Sequence, residues 1–376
     1  MMFAEHRAIT EKMKKSKITR RKFIGTASAA AVGSATFGLN LFYGCEIEGA
    51  SKKGTVSIVR IRDGNIPGAV EEAIDLLGGI EAVTTGKNKI MLKPNLVADS
   101  PVFTTKPIVV KTLAQLMQKA GKEVMIGEGS AAASSFNVVN DEIFRTKKRE
   151  ILDGMQQHVF DVLGYSEMAE SLNIPLINLH SGEIVEVPLE NGFAAKSVKI
   201  HKSLTEIDLL CSVPMMKTHT LATVTLAMKN LIGLYTGTEY YAVRSWLHDR
   251  AAEAGSPGVA YEVIDMNNAV STGLSVIDAS TAMEGNGPTD GTLVEMGLII
   301  AGTSPLATDM VGAALMGFEI NEIPAIVLAH ESGILPVTLN EIEIRGLKID
   351  ECKHRFARPD VSKWTDINKF WGVNEL

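Results

Sequence analysis

A dense group of polar side chains follows the apolar run at residues 207–213. Its members are Lys217, Thr218, His219, Thr223, Thr225, Lys229 and Asn230. Cations, an imidazole and hydroxyls are costly beside a protein core unless a partner or a ligand uses them. We therefore predict that a strand delivers this group to the mouth of a pocket that binds an anion or an oxygen-rich ligand.

Three members of the group are candidate catalytic residues. His219 could transfer a proton because an imidazole titrates near neutral pH, but it could also be a metal ligand or a hydrogen-bonded structural histidine. Lys217 and Lys229 are candidate catalytic cations, and their charge would favour the neutral form of the ring. The alternative for Lys229 is a solvated helix face. Thr218 and Asn230 are candidates for binding and orienting the substrate.

Two further loops place polar residues directly after apolar runs. Lys93 and Asn95 follow residues 89–92, and Pro94 biases Lys93 towards an extended backbone. Glu128 lies between two glycines after another such run. We expect Lys93, Asn95 and Glu128 to contribute to substrate binding. The alternatives are a surface lysine and an ordinary turn.

Three carboxylates could bind a divalent cation, which prefers oxygen ligands. Asp278 ends an apolar run, Glu284 lies in a loop that contains glycines, and Asp309 lies near the start of an apolar helical pattern. The alternatives are salt bridges to the lysines and, for Asp309, stabilisation of a helix N-terminus. The sequence names no cofactor, and a divalent metal ion is the candidate that these carboxylates suggest.

Several familiar kinds of site are missing from the sequence. It contains no Gly-x-Ser-x-Gly elbow, no phosphate-binding Gly-x-x-x-x-Gly-Lys-Ser/Thr loop and no His-Glu-x-x-His motif. Cys45, Cys211 and Cys352 form no Cys-x-x-Cys pair, which argues against a self-contained iron–sulfur or zinc-thiolate site. The polar and aromatic segment 246–250 predicts a lid or rim, or alternatively a plain surface helix.

Strand-like runs alternate with helical patterns from residue 55 onwards. Helices are predicted to begin near Pro67, Pro107 and Ser304, and another is predicted from about Thr220 through residue 231. The predicted strands lie at residues 56–61, 89–92, 123–126, 175–179, 184–187, 207–213, 275–277 and 298–301. This alternation predicts an α/β fold with a mostly parallel, doubly wound sheet flanked by helices, with insertions.

The candidate site residues follow the carboxyl ends of four predicted strands. Ligands of open α/β sheets bind at that edge. We therefore expect the loops that begin at Lys93, Gly127, Lys217 and Asp278 to converge on one crevice. If the loops diverge, the same residues are structural.

The N-terminus predicts an export signal. Arg20, Arg21 and Phe23 resemble the twin-arginine signature, and the apolar stretch 27–43 follows them. A twin-arginine signal or anchor over residues 1–45 would engage the twin-arginine translocase and place the protein outside the cytoplasmic membrane; the alternative is a basic segment without an export role. Cys45 ends a degraded lipoprotein box, so the protein could also be membrane-anchored through the N-terminus or this cysteine.

Composition fits a globular protein that does not bind nucleic acid. The 376 residues carry a formal net charge of -7, and beyond residue 25 there are 29 Lys/Arg against 42 Asp/Glu. Nucleic-acid binding requires a basic footprint, which this balance lacks. We predict a linker at residues 46–54, one α/β domain at residues 55–350 and a C-terminal tail at residues 351–376.

The chain resembles the family known as domain of unknown function 362 (DUF362). The resemblance runs from about residue 55 to 335 and includes Lys93, Pro94, Asn95, Gly127, Glu128, Gly129, Pro214, Lys217, Thr218, His219, Lys229, Asn230, Gly233, Met283, Glu284, Gly285, Gly287, Pro288, Gly302, Ala307 and Asp309. Members are uncharacterised, and some are associated with ferredoxin modules, which implies a redox or iron–sulfur partner. This chain lacks a ferredoxin-like cysteine set, so such a role would come through a partner protein.

Two functions follow from these residues and this resemblance. The first is an exported enzyme that acts on a small anionic or polyoxygenated substrate at a site of lysine, histidine and carboxylate side chains, with or without a metal. The second is a non-enzymatic cofactor-binding or maturation factor for an iron–sulfur or redox partner.

Overall fold

The computed structural model describes residues 54–140 and 142–361. The predicted twin-arginine segment, Cys45 and the chain before Gly54 lie outside the described residues, as does the end of the predicted tail after residue 361. None of the helices within these ranges has the length and apolar composition that crossing a bilayer requires.

Fifteen strands are found in the described ranges. They are β1 (Thr55–Arg60), β2 (Lys89–Pro94), β3 (Glu123–Glu128), β4 (Val138–Val139), β5 (Glu142–Ile143), β6 (Leu176–Asn178), β7 (Ile184–Pro188), β8 (Ser197–His201), β9 (Leu209–Val213), β10 (Met215–His219), β11 (Thr223–Thr225), β12 (Thr272–Asn286), β13 (Asp290–Val294), β14 (Leu298–Gly302) and β15 (Glu343–Gly346). Eleven of them form one sheet, whose main path runs β15-β1-β14-β12-β9-β2-β3-β6. The strands from β12 to β6 on this path are parallel, and β14 is antiparallel to both of its neighbours.

Helices cover both faces of the sheet. They are α1 (Ile66–Leu76), α2 (Ile80–Val83), α3 (Pro107–Lys119), α4 (Arg149–Val162), α5 (Tyr165–Leu172), α6 (Ala227–Asn230), α7 (Gly237–Tyr240), α8 (Ser245–Glu253), α9 (Ala260–Ala269), α10 (Pro305–Leu315), α11 (Pro324–Glu331) and α12 (Ile349–Cys352). Successive strand residues point to opposite faces. In β2, accordingly, Met91 packs into the core that contains α9 to α11, whereas Ile90 and Leu92 pack into the core that contains α1 and α3 to α5.

This arrangement confirms the predicted α/β fold class. Because helices cover both faces of the central sheet, every residue of β9 and β14 is buried, and these strands are mainly apolar. The helices that follow β1 and β2 have the predicted prolines, Pro67 and Pro107, in their first two positions, where a missing N–H costs nothing.

Two parts of the expected element order are wrong. The helix predicted from about Thr220 is instead a hairpin of β10 and β11, followed by the one-turn helix α6. Closely spaced threonines favour extended backbone, and this preference overrides the helical spacing of Leu221, Val224 and Met228, which are buried all the same. The predicted loop after residue 277 is also largely strand, because β12 continues to Asn286 while pairing with β10 and β13.

The short helix α6 is held in place by a carboxylate from α10. Asp309 Oδ1 accepts a hydrogen bond from the Ala227 N–H at 2.7 Å, and Asp309 Oδ2 accepts one from the Met228 N–H at 2.9 Å. A helix start leaves such N–H groups without intrahelical partners. Burial raises the pKa of Asp309 to about 7, and these two bonds oppose that shift. The carboxylate therefore fixes the turn that carries Lys229 and Asn230.

We predict that Asp309→Ala destabilises the protein. The substitution leaves two buried N–H groups without acceptors, which should lower the free energy of unfolding by about 2–4 kcal/mol. Urea denaturation followed by circular dichroism measures the change. Asp350→Ala is the matched control because that carboxylate is exposed beside Lys353, so its midpoint should stay at the wild-type value. An Asp309→Ala midpoint as high as that of the control would contradict the assigned role.

Candidate functional site

A buried ion pair joins the ends of β2 and β3. Lys93 Nζ lies 2.8 Å from Oε1 and 2.9 Å from Oε2 of Glu128. Each residue is 1% exposed. Burial lowers the pKa of Lys93, and the Glu128 carboxylate opposes that shift. The carboxylate also accepts hydrogen bonds from the backbone N–H groups of Leu96 and Gly129, both at 2.8 Å, so it fixes the two loops that leave these strands.

Asn230 extends this pair into the turn after β11. Its Oδ1 accepts a hydrogen bond from Lys93 Nζ at 2.9 Å, and its Nδ2 donates to the Lys93 carbonyl and to Ser212 Oγ. Asn95 Nδ2 also donates to Asn230 Oδ1, at 3.3 Å. The residues predicted to bind substrate are therefore brought together, but their polar atoms are largely engaged with one another.

Gly233 explains why the turn approaches the ion pair so closely. A Cβ built on this residue would lie 2.6 Å from Lys93 Nζ and would also clash with Glu128. No real side chain tolerates such a distance, so the backbone can lie against the ion pair only because the residue is glycine.

A cavity of about 70 Å³ opens beside this network. Of the residues predicted from sequence, it is lined by Lys93, Asn95, Glu128, His219, Lys229 and Asn230. Three of the four predicted loops thus supply polar side chains to one space, at the carboxyl ends of the strands. The fourth loop contributes Pro288.

Lys229 is the cation of this cavity that lacks a close partner. Within the described residues, its ammonium makes no ion pair or hydrogen bond, whereas the Lys93 ammonium has three acceptors. Burial lowers the pKa of Lys229 to about 8, Glu262 opposes the shift, and Lys93 and Arg244 add to it. Its charge is therefore available to a ligand near neutral pH.

His219 is held as a neutral donor. Its Nδ1 accepts a hydrogen bond from the Leu221 N–H at 3.0 Å, so the proton of the neutral ring lies on Nε2. Burial, followed by the positive charges of Lys229 and Lys217, lowers the pKa of His219 well below its usual range. The ring can donate a hydrogen bond from Nε2, but these surroundings disfavour its taking up a proton.

Arg244 also lines the cavity, although no sequence motif pointed to it. The guanidinium donates to the carbonyls of Gly129, Ser130, Gly233 and Ala242, and no described carboxylate pairs with it. Its backbone adopts φ of +59°, which is costly for a residue with a side chain. The four carbonyl bonds hold the residue in this conformation and place a second positive charge beside the cavity.

His248 completes the polar lining and lies in the segment predicted to be a lid or rim. Its Nδ1 lies 2.6 Å from Oε1 of Glu262, a carboxylate of α9 that is fully buried. The sequence could have indicated that Glu262 is buried, because this residue lies in a helix with apolar neighbours on both sides. It could not be paired with His248 without the fold.

Two predicted residues of β10 are not brought to the cavity lining. Lys217 Nζ donates to the Phe103 carbonyl at 2.6 Å, and burial, followed by the charges of Lys229 and Lys93, lowers its pKa well below the usual range. Thr218 Oγ1 donates to the Gly285 carbonyl at 2.7 Å, which ties the hairpin to β12. The expectation that both residues face the ligand is therefore corrected.

The three carboxylates predicted to bind a metal do not converge. Asp278 accepts from the Lys106 N–H and from Ser280, Glu284 accepts from the Ala357 N–H, and Asp309 accepts from α6. Within residues 54–140 and 142–361, no group of three or more His, Cys, Asp or Glu side chains could hold a metal ion. The expected cation site is therefore corrected: these oxygens serve backbone and hydroxyl donors.

Comparisons with known proteins give a family but no activity. The family model described as "Domain of unknown function (DUF362)" matches residues 90–314, a range that contains every polar residue of the cavity. A thylakoid-associated protein of Synechocystis sp. is 24% identical over 290 residues, which cover 75% of this chain and 80% of that protein.

One solved structure aligns with this chain at low similarity. The lactate racemase apoprotein from Thermoanaerobacterium thermosaccharolyticum aligns with a TM-score of 0.40 and 12% identity, covering 71% of this chain and 59% of the racemase chain. A likeness of this degree supports no functional conclusion.

We predict that Glu128→Gln is strongly destabilising. The change leaves the Lys93 charge buried without its counterion, which should cost about 3–5 kcal/mol of unfolding free energy. In the double variant Lys93→Met/Glu128→Gln no unpaired charge remains, so its loss should be smaller than the sum of the two single losses by more than about 1 kcal/mol. Urea denaturation of the four proteins measures the coupling, and strictly additive losses would contradict it.

Proposed function

The chain belongs to the DUF362 family, whose description assigns no activity, and we propose that it is an enzyme acting on a small anionic or polyoxygenated substrate held in the cavity beside Lys229. The observation that carries this proposal is the unbalanced charge of the cavity. Lys93, Lys229 and Arg244 line it together with one carboxylate, Glu128. Glu128 is already paired with Lys93, and within the described residues no carboxylate forms an ion pair with Lys229 or Arg244.

The proposed binding mode assigns separate tasks to the lining residues. The Lys229 ammonium supplies charge at the substrate, and the Nε2–H of His219 supplies a directed hydrogen bond. Arg244 adds positive potential from a fixed position, because both of its terminal nitrogens donate to backbone carbonyls. A buried site strengthens such interactions because water does not screen them. An anion of a few heavy atoms suits a volume of about 70 Å³.

We predict that sulfate binds to this cavity and that Lys229→Met weakens its binding by at least tenfold. Among the described residues that line the cavity, Lys229 supplies the ammonium without a close partner, so its removal takes away the strongest attraction for the anion, a loss of at least about 1.4 kcal/mol. Isothermal titration calorimetry on the full chain measures the change. Lys199→Met is the control because that lysine pairs with Glu239 away from the cavity, so its affinity should equal that of the wild type.

The same titration should depend on pH. Sulfate keeps its charge at neutral and alkaline pH, whereas Lys229, with a pKa of about 8, is charged below this pH and loses its proton above it. The affinity should therefore be constant from pH 6 to 7 and fall above pH 8, approaching about tenfold per pH unit. A wild-type affinity that does not fall up to pH 10, or one equal to that of Lys229→Met, would overturn the proposed anion site.

The second candidate function is a carrier or maturation factor for a redox partner. The cofactor content of the purified protein distinguishes this function from the proposed enzyme. A stoichiometric redox cofactor in protein from its own compartment, with no turnover of small acids, would replace the proposed enzyme by this alternative.

We also propose that the protein acts outside the cytoplasmic membrane. Support comes from Arg20 and Arg21, with basic residues before them and an apolar stretch after them. The prediction is that Arg20→Lys/Arg21→Lys, which preserves charge, retains the full chain in the cytoplasm, whereas the matched change Lys14→Arg/Lys15→Arg does not. Fractionation and immunoblotting measure both. Export of the twin-lysine variant at the wild-type level would contradict the proposal.

A further inference from the structure

The pair formed by His248 and Glu262 has features that the anion site alone does not require. His248 is 5% exposed and lines the cavity, while Glu262 lies behind it with no exposed surface. The two atoms that meet, Nδ1 and Oε1, are 2.6 Å apart. Burying a carboxylate is costly unless its partners compensate. Oε2 of Glu262 has no hydrogen-bond partner within the described residues, so His248 is the group that this carboxylate serves.

The carboxylate fixes which ring nitrogen of His248 is basic. A carboxylate oxygen can only accept, so Nδ1 carries the proton that it donates to Glu262. Nε2 is then the unprotonated nitrogen of the neutral ring, and no described residue is hydrogen-bonded to it. His219 has the opposite tautomer, because a backbone N–H donates to its Nδ1. One cavity therefore contains a histidine that donates from Nε2 and a histidine that accepts at Nε2.

The charges around the two rings reinforce this difference. His219 is buried close to Lys229 and Lys217, which disfavour an imidazolium. His248 Nδ1 is instead in direct contact with a carboxylate oxygen, at 2.6 Å. The Tyr235 hydroxyl donates to the Glu262 backbone carbonyl at 2.9 Å, which holds the helix that carries the carboxylate against the cavity wall.

We infer that His248 is the residue that takes a proton from the bound substrate and that Glu262 is its positioning residue. The inference rests on the proposed anion site. In this proton transfer, the O–H or N–H bond of the substrate breaks and the electron pair of that bond stays on the substrate. The proton forms a bond to Nε2 of His248. The imidazolium charge is balanced by Glu262, and the additional negative charge on the substrate faces Lys229. The proton returns by the reverse path.

Two probe anions test this assignment. At pH 8, inorganic phosphate is mainly HPO₄²⁻ and offers an O–H to an acceptor, whereas sulfate has the same charge and no hydrogen. The full chain is labelled with ¹⁵N-histidine, and His248→Gln assigns the His248 resonances. We expect an unprotonated Nε2 in the free protein. Phosphate should move this resonance by several ppm towards the protonated value, and sulfate should leave it nearly unchanged although it binds.

Glu262→Gln provides the test of positioning. Glutamine keeps the size of the side chain and removes its charge, so phosphate should still bind but should move the Nε2 resonance by less than half as much. Circular dichroism confirms that the variant is folded. Glu239→Gln is the matched control, since that carboxylate pairs with Lys199, and it should show the full wild-type shift.

The outcomes separate this inference from the proposed function. If neither anion binds, the anion site itself is wrong. If both anions bind in a Lys229-dependent manner and phosphate moves no His248 resonance, or moves that of His219 instead, the anion site stands and the assignment to His248 is overturned. An Nε2-protonated tautomer of neutral His248 would also overturn it.

Discussion

The ion pair between Lys93 and Glu128 is the interaction on which the site depends. An ammonium has three protons to donate, and those of Lys93 go to Glu128, Asn230 Oδ1 and the Pro94 carbonyl. A buried charge is tolerated only when it is satisfied in this way. The pair links β2, β3 and the turn after β11, and Gly233 lets that turn approach. Lys93 is therefore a structural cation with no proton left for a ligand.

Because Lys93 is saturated, the remaining positive charges decide what the cavity accepts. Lys217 also has an acceptor, the Phe103 carbonyl, and its burial favours the uncharged amine. Both terminal nitrogens of Arg244 donate to carbonyls, which hold the guanidinium in place without cancelling its charge. Lys229 has neither a counterion nor an acceptor in the described chain. The same fold thus produces a neutralised charge, a fixed positive potential and one ammonium that is free to meet an anion.

Sequence patterns were sufficient for the strand ends but not for the partners of each side chain. The apolar runs before Lys93 and Glu128 located β2 and β3, and the rule that ligand loops follow parallel strands then placed both residues at one edge. The sequence prediction of metal ligands failed because the carboxylates concerned accept hydrogen bonds from backbone N–H groups instead. Asp278 ends an apolar run and Asp309 lies near the start of an apolar helix, yet their oxygens accept hydrogen bonds from the backbone N–H groups of Lys106, Ala227 and Met228. Only the fold distinguishes these two uses.

The segment between residues 234 and 272 was harder to interpret for a different physical reason. Its helices α7 to α9 follow one another with no strand between them, so neither the carbonyl-bound Arg244 nor the pair of His248 with Glu262 follows from periodicity. The tautomers of the two histidines cannot be predicted from the sequence, because each depends on one contact at Nδ1. That contact is a backbone N–H for His219 and a carboxylate for His248. A single acceptor or donor behind the ring therefore determines whether an imidazole at the cavity wall donates or accepts a hydrogen bond at Nε2.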